Sequence, residues 1–267
     1  MCILDQWDII VKYRCVMKLI ISSCEKYHSV LRVTLDSLNK ISDVFDVIVI
    51  TSQDKNLVLD YPYIKFIFYM HDCGWAENMA KVMSDFDLDE RVLLWMDDLY
   101  LVDNVDLGFI KYFLDDLSES YNYDYLSLYQ TPASRMVSCA YSEGLFVRRG
   151  EDFQVSCMGS VFKVSLLKKL LVSGESAWDF ERKSDKRLRN IDSGIVLLDL
   201  SFNLFEMLNL IVKGKVVRWR VEYIGRNDIV LPEMNAFDEW KYKLYMLLHL
   251  FKKGIRRSFV LLNFLWR

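Results

Sequence analysis

The sequence predicts an α/β protein built on an open, mostly parallel sheet that is flanked by helices. Short β-branched runs alternate with segments of helical periodicity through the first half of the chain. Such alternation implies crossover connections between parallel strands. A hydrophobic content of 52%, with 10 Gly and 3 Pro among 267 residues, excludes disordered and collagen-like chains.

Each predicted element follows from its local pattern. Leu19–Ser23 is a short apolar run typical of a buried strand, whereas Ser29–Lys40 has apolar residues at the three-to-four spacing of a helix. The other predicted strands of the first half are Phe45–Thr51, Ile64–Tyr69, Arg91–Met96 and Tyr125–Tyr129, and the other helices are Ala76–Phe86 and Val105–Leu117. The second half predicts strands at Phe153–Phe162 and Val216–Tyr223, a helix at Ser165–Val172, and a loop or short helix at Glu181–Asn190.

The charge distribution predicts the domain organisation. The chain has a net charge of -3, but seven of its 34 Lys and Arg and none of its 37 acids lie in Lys241–Arg267. We expect an N-terminal extension at 1–16, a main domain at 17–236 and a basic, apolar, helical appendage at 237–267. The appendage is either a helix pair packed on the domain or an anchor on an anionic membrane surface.

The same counts bear on location and partners. The near-neutral charge argues against nucleic acid as a partner. Six scattered cysteines without a CxxC pair indicate neither a disulfide scaffold nor a zinc site. The first residues lack the pattern of a signal peptide, so we expect a cytoplasmic protein, placed peripherally on the inner face of the cytoplasmic membrane if the appendage is an anchor.

Polar residues follow three of the predicted strands, at the edge where open α/β sheets bind ligands. The first strand ends in Ser22 and Ser23, the second is followed by Ser52, and the fourth by Asp97 and Asp98. Two carboxylates leaving a buried strand are suited to a divalent cation that bridges a diphosphate. The pair Asp115-Asp116 lies within a predicted amphipathic helix, where solvated side chains are expected.

Four segments carry a resemblance to a known family: LIISSCEKY, GWAENMAKVM, RVLLWMDDLYL and SAWDFE. Their order and spacing over residues 17–185 resemble those of GT-A-fold glycosyltransferases, in particular those encoded in bacterial capsule and O-antigen clusters. The resemblance implies a GT-A-like, Rossmann-like sheet and a nucleotide-diphosphate sugar as donor.

The resemblance also implies roles for individual residues. Ser22, Ser23 and Ser52 would cradle the base and ribose, and Asn78 would face the nucleotide. Asp97 would contact the ribose, and Asp98 would hold Mn²⁺ or Mg²⁺. The usual D-x-D motif of the family is interrupted, because Leu99 follows Asp98 directly, and metal-independent activity therefore stays open. His71 is either part of the donor pocket or an ordinary loop histidine.

The segment SAWDFE supplies candidates for acceptor chemistry. An inverting transfer needs a carboxylate that takes the proton of the acceptor hydroxyl. Members of the family place such a carboxylate at the start of a helix, after an aromatic residue. Glu181 is the preferred base, Asp179 is the second candidate, and Trp178 would stack on the acceptor sugar. The alternative is a half-buried Trp under a charged loop with solvated acids.

The sequence thus predicts a glycosyltransferase that moves a sugar to a glycan or lipid-linked glycan acceptor in surface polysaccharide or lipopolysaccharide synthesis. Inversion is favoured because Glu181 is present and no nucleophile stands out. A nucleotidyltransferase of similar architecture would need a glycine-rich loop after the first strand, where SSCEKYHSV has no glycine. The alternative from another class is a non-catalytic, membrane-associated module that binds nucleotide sugar or glycan.

Overall fold

The computed structural model describes residues 17–102, 106–128, 140–142, 145–147, 154–191, 195–200, 204–226 and 228–252. The chain forms two compact units, Met1–Leu208 and Asn209–Arg267. The predicted extension at 1–16 and the end of the appendage after Lys252 lie outside the described residues. The predicted division at residue 237 remains a prediction.

The first unit alternates strands and helices as predicted for the first half of the chain. Its strands are β1 (Met17–Ser22), β2 (Phe45–Thr51), β3 (Lys65–Phe68), β4 (Arg91–Met96), β5 (Leu99–Leu101), β6 (Tyr125–Ser127), β7 (Ala140–Ser142), β8 (Leu145–Val147), β9 (Ser160–Lys163) and β10 (Leu197–Leu200). Its helices are α1 (His28–Leu38), α2 (Lys55–Asp60), α3 (Trp75–Met83), α4 (Leu107–Ser120), α5 (Val164–Leu170) and α6 (Ala177–Asn190).

Within the described residues, nine strands form one sheet in the order β3-β2-β1-β4-β9-β6-β10-β8-β7. Strands β3, β2, β1 and β4 are parallel neighbours, and β6 and β10 are parallel to each other. Strand β9 runs antiparallel between β4 and β6, and β8 runs antiparallel to β10. The predicted fold class, an open and mostly parallel sheet flanked by helices, is confirmed.

The sheet is buried on both faces by helices. In β1, Leu19 and Ile21 belong to one apolar cluster and Ile20 to the other, because successive strand residues point to opposite faces. The first cluster includes residues of α1 and α4, and the second includes residues of α3, α5 and α6. Burial on both faces explains why β1, β2 and β4 are continuous apolar runs.

Three predictions for the second half need correction. Of the predicted strand Phe153–Phe162, only the last three residues lie in a strand, β9, and residues 154–159 are irregular. The predicted strand Val216–Tyr223 is wrong beyond its first residue, because the helix α7 (Arg218–Tyr223) occupies most of it. Its β-branched and aromatic residues favour a strand locally, but Arg220 and Val221 are buried in the helix, and this packing overrides propensity. The charged segment 181–190 is neither a loop nor a short helix but the larger part of the 14-residue helix α6.

The second unit contains a hairpin and two helices among its described residues. Strand β11 (Met207–Asn209) pairs with β5, and the chain continues from β11 into the second unit. The hairpin strands are β12 (Ile211–Val212) and β13 (Lys215–Val216), followed by α7 and by the 17-residue helix α8 (Ala236–Lys252). No helix in the described part of the chain is both long and apolar enough to cross a bilayer.

Candidate functional site

The carboxyl ends of three adjacent strands bring the predicted polar residues to one edge of the sheet. Ser22 of β1 is in register with Ile50 of β2 on one side and with Met96 of β4 on the other. The residues that follow these strands therefore lie side by side beyond the same edge. The structure thus brings together the polar groups that the sequence places after β1, β2 and β4.

Asp97 is the buried acid of this edge. The hydroxyl of Ser23 donates to Asp97 Oδ2 at 2.6 Å, and the hydroxyl of Thr34 donates to the main-chain oxygen of Asp97 at 2.8 Å. Asp97 is 8% exposed, and this burial raises the pKa of its carboxyl to about 6, although the Ser23 hydrogen bond acts in the opposite direction. A carboxyl held in this way is suited to hydrogen bonding with a sugar hydroxyl.

Asp98 follows Asp97 at the carboxyl end of β4 and is half-buried. In the described part of the chain no group of three His, Cys, Asp or Glu side chains surrounds a possible metal position. A dedicated protein cage is therefore absent from this part of the chain. Cations of the magnesium type need no such cage, because they are held by one or two carboxylates and take their other ligands from phosphate and water.

His28, at the start of α1, contacts the residues that end β2. Its Nε2 lies 2.9 Å from the hydroxyl oxygen of Thr51 and 3.3 Å from that of Ser52. Burial lowers the pKa of His28, while Asp54, whose carboxylate is 3.4 Å from Nδ1, acts in the opposite direction. The sequence predicts Ser52 at this edge but not His28. The position of His28, directly after the first strand and its loop, could have indicated that it lies at the same edge.

A cleft of about 340 Å³ lies next to these strand ends. It is lined by residues of β2, β3, the following loop and α3: Ile50, Ile67, Phe68, Tyr69, Met70, His71, Cys73, Asn78, Lys81 and Val82. The hydroxyl of Tyr69 donates to the main-chain oxygen of Ser23 at 3.2 Å, which connects the cleft wall with the end of β1. A volume of this size with mostly apolar walls suits a flat heterocycle.

Asn78 lines this cleft and fixes the loop before α3. Its side-chain amide donates to Asp72 Oδ1 at 3.0 Å, and the main-chain N–H of Gly74 donates to the same oxygen at 2.9 Å. Asn78 is 4% exposed, and its buried Oδ1 accepts no hydrogen bond in the described structure. Asn78, which the resemblance predicts to face the nucleotide, therefore lies at the cleft. It also supports the loop that carries His71.

Glu181 lies at the same edge of the sheet as Asp97. Its Oε1 accepts hydrogen bonds from Ser156 Oγ and from the main-chain N–H of Cys157, both at 2.7 Å. Because β9 runs antiparallel to β4 and β6, the residues before β9 lie beyond the carboxyl ends of those two strands. These two donors fix the carboxylate and were missed by sequence reasoning, since the fold alone brings residues 156 and 181 together.

Asp179 is engaged in the first turn of α6. Ser176 caps this helix by accepting from the N–H of Asp179 at 3.1 Å, and its hydroxyl donates back to Asp179 Oδ2 at 2.8 Å. The Ser176 hydrogen bond and then Lys183, at 3.2 Å, lower the pKa of Asp179. The Asp179 carboxylate is thus engaged with the helix cap and with Lys183.

Trp178 lies beside Asp179 on α6 and is 59% exposed. The next residue, Phe180, is buried, and its ring centroid lies 5.1 Å from that of Trp75 at the start of α3. The main-chain N–H of Ala76 also donates to the oxygen of Glu175 at 3.2 Å. These contacts place the start of α6 against the start of α3 and leave the Trp178 side chain accessible, as an acceptor-stacking residue requires.

Comparison with solved structures found proteins of similar fold, and three of them are described here. TarS of S. aureus (residues 1–349) is 14% identical, with a TM-score of 0.48 over 71% of this chain and 59% of TarS. The mannosyltransferase PcManGT of Pyrobaculum calidifontis, in complex with GDP-Man and Mn²⁺, is 12% identical, with a TM-score of 0.45 over 92% of this chain and 66% of that one. Apo UDP-glucose pyrophosphorylase is 9% identical, with a TM-score of 0.48 over 73% of this chain and 93% of that one.

The chain spans about three fifths of the TarS structure. Neither the scan against protein-family models nor the search of curated proteins found a match.

Proposed function

We propose that the protein is a glycosyltransferase that takes its sugar from a nucleotide-diphosphate donor. The observation that carries this proposal is the shared edge of the sheet. The acids Asp97 and Asp98 end β4, and Glu181 is held by the chain segment that lies beyond the same strand end. A donor site and a base for the acceptor are thus available at one edge.

The donor half of the site combines an apolar cleft with polar strand ends. The base of the nucleotide would enter the 340 Å³ cleft, and the ribose would contact Ser23, Ser52 and Asp97. Lys81, which lines the cleft, would attract the anionic donor. A divalent cation held by Asp98, Mn²⁺ or Mg²⁺, would neutralise charge on the diphosphate.

The acceptor half of the site centres on Glu181. Its carboxylate would take the proton of the acceptor hydroxyl as that oxygen bonds to the anomeric carbon, while the nucleoside diphosphate leaves with the electrons of the broken bond. This direct displacement inverts the anomeric configuration. Trp178 would stack on the acceptor sugar with its exposed ring. The hydrogen bonds from Ser156 and Cys157 to Oε1 would keep the base oriented.

The acceptor and its setting are finer parts of the proposal. We expect a glycan or lipid-linked glycan of surface polysaccharide synthesis, and a protein that works at the cytoplasmic face of the membrane. The basic composition of Lys241–Arg267 supports this placement, because each Lys or Arg near an anionic surface contributes about 1 kcal/mol.

The test is an assay of a panel of nucleotide-diphosphate sugars with Mn²⁺ or Mg²⁺, in which released nucleoside diphosphate is measured. Asp98→Ala should abolish turnover and weaken metal-dependent donor binding, whereas Asp115→Ala on α4 should leave both near wild-type. Equal losses in the two variants would show general destabilisation and contradict the assignment.

Two further measurements separate the two alternatives. Release of pyrophosphate from a nucleoside triphosphate and a sugar phosphate would identify a nucleotidyltransferase. Donor binding in a thermal-shift assay without any turnover would identify a non-catalytic binding module, because a ligand of the folded state raises its stability. Either result would contradict the proposed reaction.

A further inference from the structure

A second cleft, of about 580 Å³, lies within the second unit. Its lining residues come from the β12–β13 hairpin, the segment before α8 and α8 itself: Val212, Lys213, Lys215, Met234, Asp238, Lys241, Tyr242 and Tyr245. The volume lies in the range of small-molecule sites. Three lysines against one aspartate make the lining cationic, and two tyrosines give it aromatic walls.

The single acid of this lining is already engaged. Asp238 Oδ2 accepts from the side-chain amide of Asn235 at 2.9 Å and lies 3.7 Å from Lys215 Nζ. Asp238 therefore offsets at most part of the charge of one lysine. Between described residues no ion pair includes Lys213 or Lys241. Lys241 Nζ lies over the Phe237 ring, 4.2 Å from its centroid, and this contact leaves the positive charge in place.

Lys213 has a backbone conformation that lysine rarely adopts. Val212 is paired with Lys215, so Lys213 and Gly214 form a two-residue hairpin loop, with φ values of 53° and 74°. Such a loop favours Asn-Gly, and lysine at its first position is strained. Backbone strain of this kind is concentrated at functional positions. The strain at position 213 is therefore consistent with a ligand-binding role of the Lys213 side chain.

A buried cation lies behind the cleft wall. Arg220 is 6% exposed, and it donates through Nη2 to the hydroxyl oxygen of Tyr242 at 3.0 Å and through Nη1 to the main-chain oxygen of Asn209. No ion pair between described residues includes Arg220. Its charge therefore adds to the positive potential of the cleft. The hydroxyl of Tyr242, fixed as an acceptor by Arg220, keeps its own proton to donate to a ligand.

We infer that this cleft binds a phosphate-bearing ligand, with the phosphate or diphosphate group held by Lys213, Lys215 and Lys241. The hydroxyl of Tyr242 donates to the same group, and the rings of Tyr242 and Tyr245 contact the part of the ligand next to it. Lysine is a common phosphate-binding residue, and charge-assisted hydrogen bonds to phosphate are the strong ones. The phosphate belongs either to a soluble molecule or to a lipid headgroup.

The experiment measures binding of inorganic pyrophosphate to the full-length protein by calorimetry, at low salt and with EDTA to remove divalent cations. The triple variant K213N/K215Q/K241Q should bind about tenfold more weakly or worse. The matched control K55Q/K65Q/K169Q removes three exposed lysines of the first unit and should bind as the wild type does. Wild-type affinity in the cleft variant, or no binding by the wild type, would overturn the inference.

Folding is controlled by the choice of Asn at position 213. Because Asn-Gly is favoured in this type of loop, Lys213→Asn alone should keep or raise the thermal midpoint while it weakens pyrophosphate binding. If the triple variant does not fold, the pyrophosphate affinity of this single variant tests the inference. Unchanged affinity in a folded K213N protein would contradict the role of Lys213.

Vesicles separate the two sources of phosphate. Sedimentation with phosphatidic acid vesicles that is lost in the triple variant supports a lipid headgroup, and pyrophosphate binding without vesicle binding supports a soluble ligand. Asp98→Ala should bind pyrophosphate normally in EDTA, so failure of the cleft is distinguishable from failure of the proposed transfer reaction.

Discussion

At the scale of single residues, two hydrogen bonds hold the carboxylate of Glu181, the proposed base. Ser156 Oγ and the N–H of Cys157 both donate to Oε1, so the carboxylate cannot rotate without losing them. Each such bond to a charged group contributes roughly 1.5–3 kcal/mol. The carboxylate is thus already oriented in the protein alone, as the proposed proton transfer requires.

Glu181→Gln should keep donor binding and lower turnover by a factor of about 100 or more, because glutamine can accept the same hydrogen bonds but cannot take a proton. Steady-state turnover at saturating acceptor, with donor affinity measured separately, checks this expectation. Asp179→Asn should have a smaller effect on turnover. Near wild-type turnover in the Glu181→Gln protein would place the base elsewhere or indicate a retaining enzyme.

At the scale of elements, the start of β9 depends on one glycine. Gly159 has a φ of +57°, and a Cβ atom at this position would lie 2.8 Å from Met207 Cε. Its main-chain oxygen accepts from the N–H of Leu128 at 3.1 Å. Gly159 therefore lets the segment that carries Ser156 and Cys157 turn into the sheet while the chain stays close to Met207.

Gly159→Ala should destabilise the fold by about 1–2 kcal/mol from backbone strain, with a small further cost because the flexible end of the Met207 side chain must shift. Gly174→Ala is the matched control, since Gly174 has a φ of +81° but open space around the added methyl group. It should cost about 1 kcal/mol, from strain alone. Urea unfolding of both variants gives the difference, and equal losses would show that the overlap with Met207 is relieved without cost.

At the scale of the whole molecule, Asp97 links folding to pH. Its folded pKa of about 6 lies above the ordinary value of 3.8, because the ionised form is desolvated by burial. A raised carboxyl pKa contributes stability below the ordinary value, and this contribution is lost as the pH rises through the folded value. The contribution of Asp97 to the free energy of unfolding is therefore smaller at neutral pH than near pH 4.

Asp97→Asn removes this linkage while its side-chain oxygen can still accept from Ser23. Between about pH 4.5 and pH 7.5, the variant should gain about 2 kcal/mol of unfolding free energy relative to the wild type. Urea unfolding at the two pH values, without divalent cations, measures the change. Asp115→Asn on α4 serves as the control, and a gain of the same size there would show that the pH effect does not come from Asp97.

The sequence by itself determined the parallel part of the sheet, β1 to β4, and one half of the candidate site. Continuous apolar runs such as Phe45–Thr51 and Arg91–Met96 predict buried strands, and the structure has strands with the same bounds. The register of parallel strands then aligns their carboxyl ends, so Ser23, Ser52 and Asp97 meet at one edge without further information. Local pattern and strand direction are enough for this half, because each residue directly follows its own strand.

Only the tertiary structure decided the other half. Ser156 and Cys157 meet Glu181 because β9 runs antiparallel beside β4, a pairing that no local pattern encodes. The same reason explains the segment after Val216, where burial of Arg220 favours a helix over the strand that local propensity predicts. Long-range packing also brings the lysines of the β12–β13 hairpin and of α8 to one cleft. These contacts join residues far apart in the chain, and the free energy that selects them comes from burial and charge in the folded state.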